Sequence, residues 1–197
     1  MELTREKIDK LMTEMSQAAK LNRERMGYSS QNFEPVALVI GPRLEHAITS
    51  LRHNSNEEKR AKTRALAMAA RETKALAILL VMDSRWAHAD KFGAYFHIPP
   101  MEEIGLDAWT AQYYEILNGI YGGTLENCPR EVWDEAVVVS IKGPAIEPEM
   151  RFFRYEKGPR DSVVWLEDGD TIKDKSEVSV KINMLPDWWE EPTGRPA

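Results

Sequence analysis

The chain has 197 residues, of which 43% are hydrophobic and 29% charged, and its formal net charge is −6. This suits one domain of roughly 150 residues with extensions, and the absence of any run of about 18 apolar residues argues against a membrane span. A single cysteine, Cys128, excludes an internal disulfide framework; with a charged N-terminus that has no apolar signal core, it points to a reducing, cytoplasmic setting.

The charge is unevenly divided. Residues 1–100 hold 16 Lys and Arg against 12 Asp and Glu, and residues 101–197 hold 10 against 20, so the halves carry +4 and −10. Such asymmetry either marks a partner surface or reflects ordinary solvated faces.

In chain order, residues 4–26 read as an amphipathic helix, because Ile8, Leu11, Met12, Met15 and Ala19 recur at three- and four-residue steps. Thr4 is the expected N-cap and Gly27 the expected stop. Val36–Ile40 reads as a short strand closed by Gly41-Pro42. Leu44, Ala47, Ile48 and Leu51 suggest a short helix behind it. Ser55 with Glu58 has capping-box spacing, so a helix is expected from about Glu57 to Thr73, with Ala61, Ala65, Met68 and Ala69 as its core face. Ala75–Met82 is the most apolar run in the sequence and reads as a strand buried on both faces. Strand, helix, strand in this order suggests a βαβ unit with a right-handed crossover.

Residues 86–132 are aromatic-rich and punctuated by Pro99-Pro100 and Gly122-Gly123. They read as an insertion over one end of the sheet, with a helix from Asp107, its cap, to about Ile116. From Glu135 the period changes to two. Strands are expected at Ala136–Ile141, Met150–Tyr155, Ser162–Leu166 and, from its clean alternation, Val178–Met184. Residues 187–197 read as a C-terminal tail.

The fold expected from this pattern is a single α+β domain over residues 1–186. Its mixed sheet of about five or six strands pairs a βαβ half with an antiparallel meander, and both long helices lie on one face.

The chemically richest stretch is Asp83–Asp90, where polar residues follow the apolar run. Open α/β sheets tend to place ligands at such strand ends. Asp83 or His88 could act as base, Arg85 could hold an anion bidentately, and Trp86 and Asp90 complete the candidate ligand-binding set. The competing reading is structural, with Asp83 capping or pairing and Arg85 matched to a nearby acid. No zinc-ligand spacing, GxSxG, HExxH, CxxC or glycine-rich phosphate loop occurs, so no metal or cofactor is expected. The basic stripe Arg60, Arg64, Arg71, Lys74 shares its helix with Glu57, Glu58 and Glu72 in an acidic protein, so strong nucleic-acid binding is not expected. Cys128 has no histidine near it in sequence and is a poor nucleophile candidate. The insertion's rings could line a pocket or fill a core. Trp188 and Trp189, adjacent in the tail, pack on this chain or anchor a protein partner or second subunit.

The pairing of AILLVMDSRW with the later REVWDEAVVVSIKGP resembles small αβ proteins carried by bacteriophages and prophages. The resemblance implies an intracellular accessory role during infection or lysogeny, and it assigns no catalytic residue. Two functions are expected from different classes. One is a non-enzymatic interaction protein acting through an unknown partner or through self-association. The other is a small-molecule or nucleotide-binding protein, or a hydrolase, with its site at Asp83–Asp90. They are separated by whether Asp83, Arg85 and His88 converge on one cavity.

Overall fold

The computed structural model describes residues 3–30, 33–52, 56–87, 89–166, 170–172 and 188. Helix α1 spans Arg5–Met26 and buries Ile8, Met12, Ser16, Ala19 and Arg23. These residues recur at helical spacing and so share one face. Thr4 occupies the N-cap position without a side-chain cap bond, and Gly27 ends the helix at φ 78°, a left-handed conformation that favours glycine.

Strands β1 (Val36–Ile40) and β2 (His46–Ser50) form a hairpin, followed by helix α2 (Asn56–Glu72) and strand β3 (Ala77–Ala87). Strands β4 (Trp133–Gly143), β5 (Ile146–Lys157), β6 (Val163–Trp165) and β7 (Asp170–Ile172) complete one sheet in the order β2-β1-β3-β4-β5-β6, with β7 also on β5. Gly143 serves the β4–β5 turn, and a Cβ there would sit 2.3 Å from the Leu76 carbonyl oxygen, so the position takes no side chain. The protein is an α+β domain, and among the described residues no helix is long and apolar enough to cross a membrane.

Four expectations are corrected. Residues 46–50 are a strand, not a helix. The expected β1–β3 parallel pair is antiparallel, as is every pairing in the described sheet, which is therefore not mixed. The physical reason is the hairpin. Because β2 and β3 both run antiparallel to β1, they point the same way, and the crossover through α2 joins β2 to β3 with β1 between them. The third correction concerns the helices, which lie on opposite faces. α1 packs on Leu38, Leu79, Val81, Val137 and Val139, whereas α2 packs on Ala37, Ile78 and Leu80, the alternate residues of the same strands. Finally, α2 presents Leu66, Ala67 and Ala70, and leaves Ala61, Ala65, Met68 and Ala69 exposed. Alanines lie on several sides of α2, so the large Leu66 decides which side faces the sheet.

Residues 86–132 are more regular than expected. Beyond the end of β3 they contain α3 (Ala89–Phe96), α4 (Met101–Ile104) and α5 (Leu106–Tyr121), followed by 3₁₀ turns at Leu125–Asn127 and Arg130–Val132. Helix α5 starts after Gly105, so Asp107 lies in its first turn rather than at its cap. The rings form a core of their own. Phe92 lies 4.5 Å from Phe96 and 4.8 Å from Tyr113, and Trp109 stacks on Tyr113 at 5.6 Å. The expected strand over residues 178–184 falls outside the described residues.

Candidate functional site

The candidate site lies on the α1 side of the sheet. Strand β3 does not stop at Met82. It continues through Ala87 and stays paired with β4, with Asp83 opposite Val137 and Arg85 opposite Glu135. Asp83 and Arg85 are therefore strand residues, two apart, on the same face as Leu79 and Val81. The period-two pattern of β4 puts Glu135 on this face with Val137 and Val139.

Helix α1 supplies the third element. Arg23 sits on its buried face, four residues after Ala19, and is only 2% exposed. Its guanidinium donates to the carbonyl oxygens of Ser30 (2.7 Å) and Tyr28 (2.6 Å), lies 3.3 Å from the Asp83 carboxylate, and stacks 4.9 Å from the centre of the Tyr155 ring. One cation thus folds the loop after Gly27 back over the sheet and neutralises a strand carboxylate. The loop is held from its other side by Asp161, which accepts from the Ser29 backbone N–H and hydroxyl, while the Asp161 carbonyl accepts from the Tyr28 N–H.

Between these elements lies a cavity of about 490 Å³, in the range of small-molecule sites. Its charged lining is Arg23, Asp83, Arg85, Glu126 and Glu135, and Tyr28 and Phe33 give it aromatic wall. Four of these five charges form two pairs: Arg23 with Asp83, and Arg85 with Glu126 from the insertion. The Glu135 carboxylate faces the Tyr28 phenol, and its Oε2 is buried without a partner. Counting two cations and three carboxylates, the lining carries a net −1.

The electrostatics follow from this burial. Desolvation raises the Asp83 carboxyl above the ordinary carboxylate range. The Tyr155 hydroxyl, which donates to Asp83 at 2.7 Å, and the Arg23 cation pull it back down, and Glu135 pushes it up. Burial, and then the Asp83 carboxylate, push the Tyr155 phenol up, so that it remains a donor. The Tyr28 phenol is pushed up by burial and then by the neighbouring Glu135 carboxylate.

Of the residues singled out in the sequence, Asp83 and Arg85 are brought together at one cavity. Trp86 pairs with Asp134 across β3 and β4 through the backbone. Asp90 lies exposed in the first turn of α3, away from the cavity lining. His88 falls outside the described residues. Trp188 is 5% exposed and belongs to the apolar cluster between α2 and the sheet, whereas Trp189 lies outside the described residues. Cys128 is buried, and that burial raises its thiol, which disfavours the thiolate. Among the described residues no three His, Cys, Asp or Glu side chains group to hold a metal ion.

Sequence reasoning missed Arg23, Glu135, Tyr28 and Tyr155. A signal existed for the first. Continuing the stripe of Ile8, Met12 and Ala19 lands on Arg23, a charge on an otherwise apolar face. Glu135 shares its face with Val137 and Val139 by strand alternation. Nothing in sequence announced Tyr28, which comes to the site through a loop.

Comparison of this chain with family models, curated proteins and solved structures gives no match.

Proposed function

We propose that this protein binds a small polar molecule in the cavity between the C-terminal end of α1, β3 and β4. The observation that carries this reading is the convergence of Asp83 and Arg85, with Arg23 and Glu135, on one cavity of about 490 Å³. Side chains that served only the surface would point separately into solvent. The net negative lining and the unpartnered Glu135 oxygen favour a ligand with an ammonium, amidinium or N–H donor group. Tyr28 and Phe33 favour an apolar or planar body beside that group.

Binding rather than turnover is the better-supported reading. Asp83 is engaged by Tyr155 and Arg23, and the Ser29 hydroxyl is engaged by Asp161, so neither is poised as base or nucleophile. Trp188, a candidate anchor for a protein partner, is buried in this chain's own core. That weakens the reading as a purely protein-binding accessory factor.

The test is a thermal-shift screen against amines, amino acids, nucleosides, nucleotides and metal ions. A ligand at about 100 times its Kd stabilises by about 2.7 kcal/mol, which is roughly 5–10 °C for a chain of this size. Arg85→Gln and Glu135→Gln are the site variants, because Arg85 is exposed and neither change removes a buried cation. We expect both to melt like the parent without ligand and to lose its response. No shift from any of these classes, or a shift retained in both variants, refutes the reading.

A further inference from the structure

The β2 edge of the sheet is independent of the cavity and carries a second inference. All five residues of β2 are exposed, and Ile48 at its centre is 70% exposed. The direction of its backbone groups follows from the hairpin. Leu51 N–H donates to the Pro35 carbonyl at 2.7 Å, and the Glu45 carbonyl accepts from Gly41 N–H at 2.9 Å, so the odd-numbered residues turn toward β1. In an antiparallel ladder these directions alternate, which turns the N–H and C=O groups of His46, Ile48 and Ser50 outward.

The side chains follow the same register. Ile48 lies opposite Leu38, Leu38 opposite Leu79, and Leu79 opposite Ile141. Leu38, Leu79 and Ile141 are 4%, 0% and 0% exposed. This apolar row therefore crosses three strands buried and ends at the edge with Ile48 uncovered. Edge strands are commonly guarded by lysine, proline, a bulge or brevity. His46–Ser50 has none of the first three and no formal charge, whereas among the described residues the opposite edge consists of β6 and β7, three residues each.

We propose that β2 pairs antiparallel with β2 of a second copy of this chain, about a two-fold axis at Ile48. The strand is self-complementary for that arrangement. Ile48 exchanges both backbone hydrogen bonds with Ile48 of the second copy and extends the apolar row across the axis. His46 faces Ser50 of the other copy on both sides, a pair able to hydrogen-bond. No like charges oppose each other. The symmetry is closed, so the product is a dimer and not a fibre. Five residues a side bury less than a standard interface, so the association is weak and concentration-dependent.

The experiment is sedimentation velocity from about 1 μM to about 0.5 mM, which brackets Kd values in the micromolar range. We expect a reversible monomer–dimer equilibrium that Ile48→Lys, by opposing two ammonium groups, weakens at least about tenfold. Because Ile48 is exposed, the dilute variant should melt like the parent. Oxidative cross-linking gives the register. Ile48→Cys should cross-link to itself, and Thr49→Cys, whose opposite residue is Ala47, should not; the native Cys128 is buried. A protein monomeric throughout the range overturns the proposal. So does a dimer unaffected by Ile48→Lys, or one that Thr49→Cys traps as readily as Ile48→Cys, since either places the contact on another surface or register.

Discussion

Arg23→Met is the sharpest test of how the cavity is built. The substitution keeps an aliphatic stem and removes the guanidinium together with its stacking on the Tyr155 ring. Two carbonyl oxygens, of Tyr28 and Ser30, then lose their donor, and Asp83 loses its cation. A hydrogen bond to a charged group contributes about 1.5–3 kcal/mol, and breaking a buried ion pair by removing one partner costs about 3–5 kcal/mol. These overlap and do not add, because water reaches the loop carbonyls once the loop loosens, so we expect a loss of about 3–5 kcal/mol. For a chain of this size that is a drop of roughly 10 °C in melting temperature. Urea melts followed by tryptophan fluorescence measure it, with the exposed Arg25→Met as a control that should change stability by less than about 0.5 kcal/mol. The pH dependence gives a second readout. The folded-state carboxyl of Asp83 is raised, so the folded protein holds this proton more tightly than the unfolded chain does. Its contribution is therefore greatest below the ordinary aspartate value of about 4 and declines as pH rises through the raised value. Arg23 pulls that value down, so its removal should carry the decline to higher pH. A loss below about 1 kcal/mol with an unchanged pH profile would refute the account of Arg23 as the tie between loop, helix and strand.

Three further outcomes are expected. Leu79, fully buried between Leu38 and Ile141, should cost about 2–5 kcal/mol when cut to alanine, and a loss under about 1 kcal/mol would displace β3 from the centre of the sheet. Trp188→Ala should cost about 3–5 kcal/mol in the same melts, because the indole fills the cluster with Leu66, Ala70 and Leu80; a tail free to serve a partner would lose less than about 1 kcal/mol. Cys128 should react with a disulfide reagent far more slowly in the native protein than in urea, since burial both shields and raises the thiol; equal rates would contradict its place in the insertion's core.

The local elements were legible in the sequence. The three- and four-residue spacing of Ile8, Met12 and Ala19 defines α1, and the apolar runs at Val36–Ile40, Ala75–Met82 and Ala136–Ile141 mark the middle strands. Each is a statement about one segment's own periodicity, and burial of an apolar face is sufficient cause for it. Asp83 and Arg85 were legible as candidates because charges following an apolar strand are conspicuous. What the tertiary structure decided is which segments meet. Direction and order of strands depend on pairing between distant residues, so a five-residue hairpin strand, HAITS, turned an expected parallel unit into an antiparallel sheet. The same strands show one set of residues to α1 and the alternate set to α2, and periodicity cannot say which helix takes which face. The cavity is the extreme case. Arg23 and Asp83 lie 60 positions apart and Asp83 and Tyr155 another 72, and each is an ordinary residue in its own segment. Only when α1 lies across β3, β4 and β5 do a helix cation, a strand carboxylate and a phenol become one buried network, because desolvation and charge pairing act through space and not along the chain.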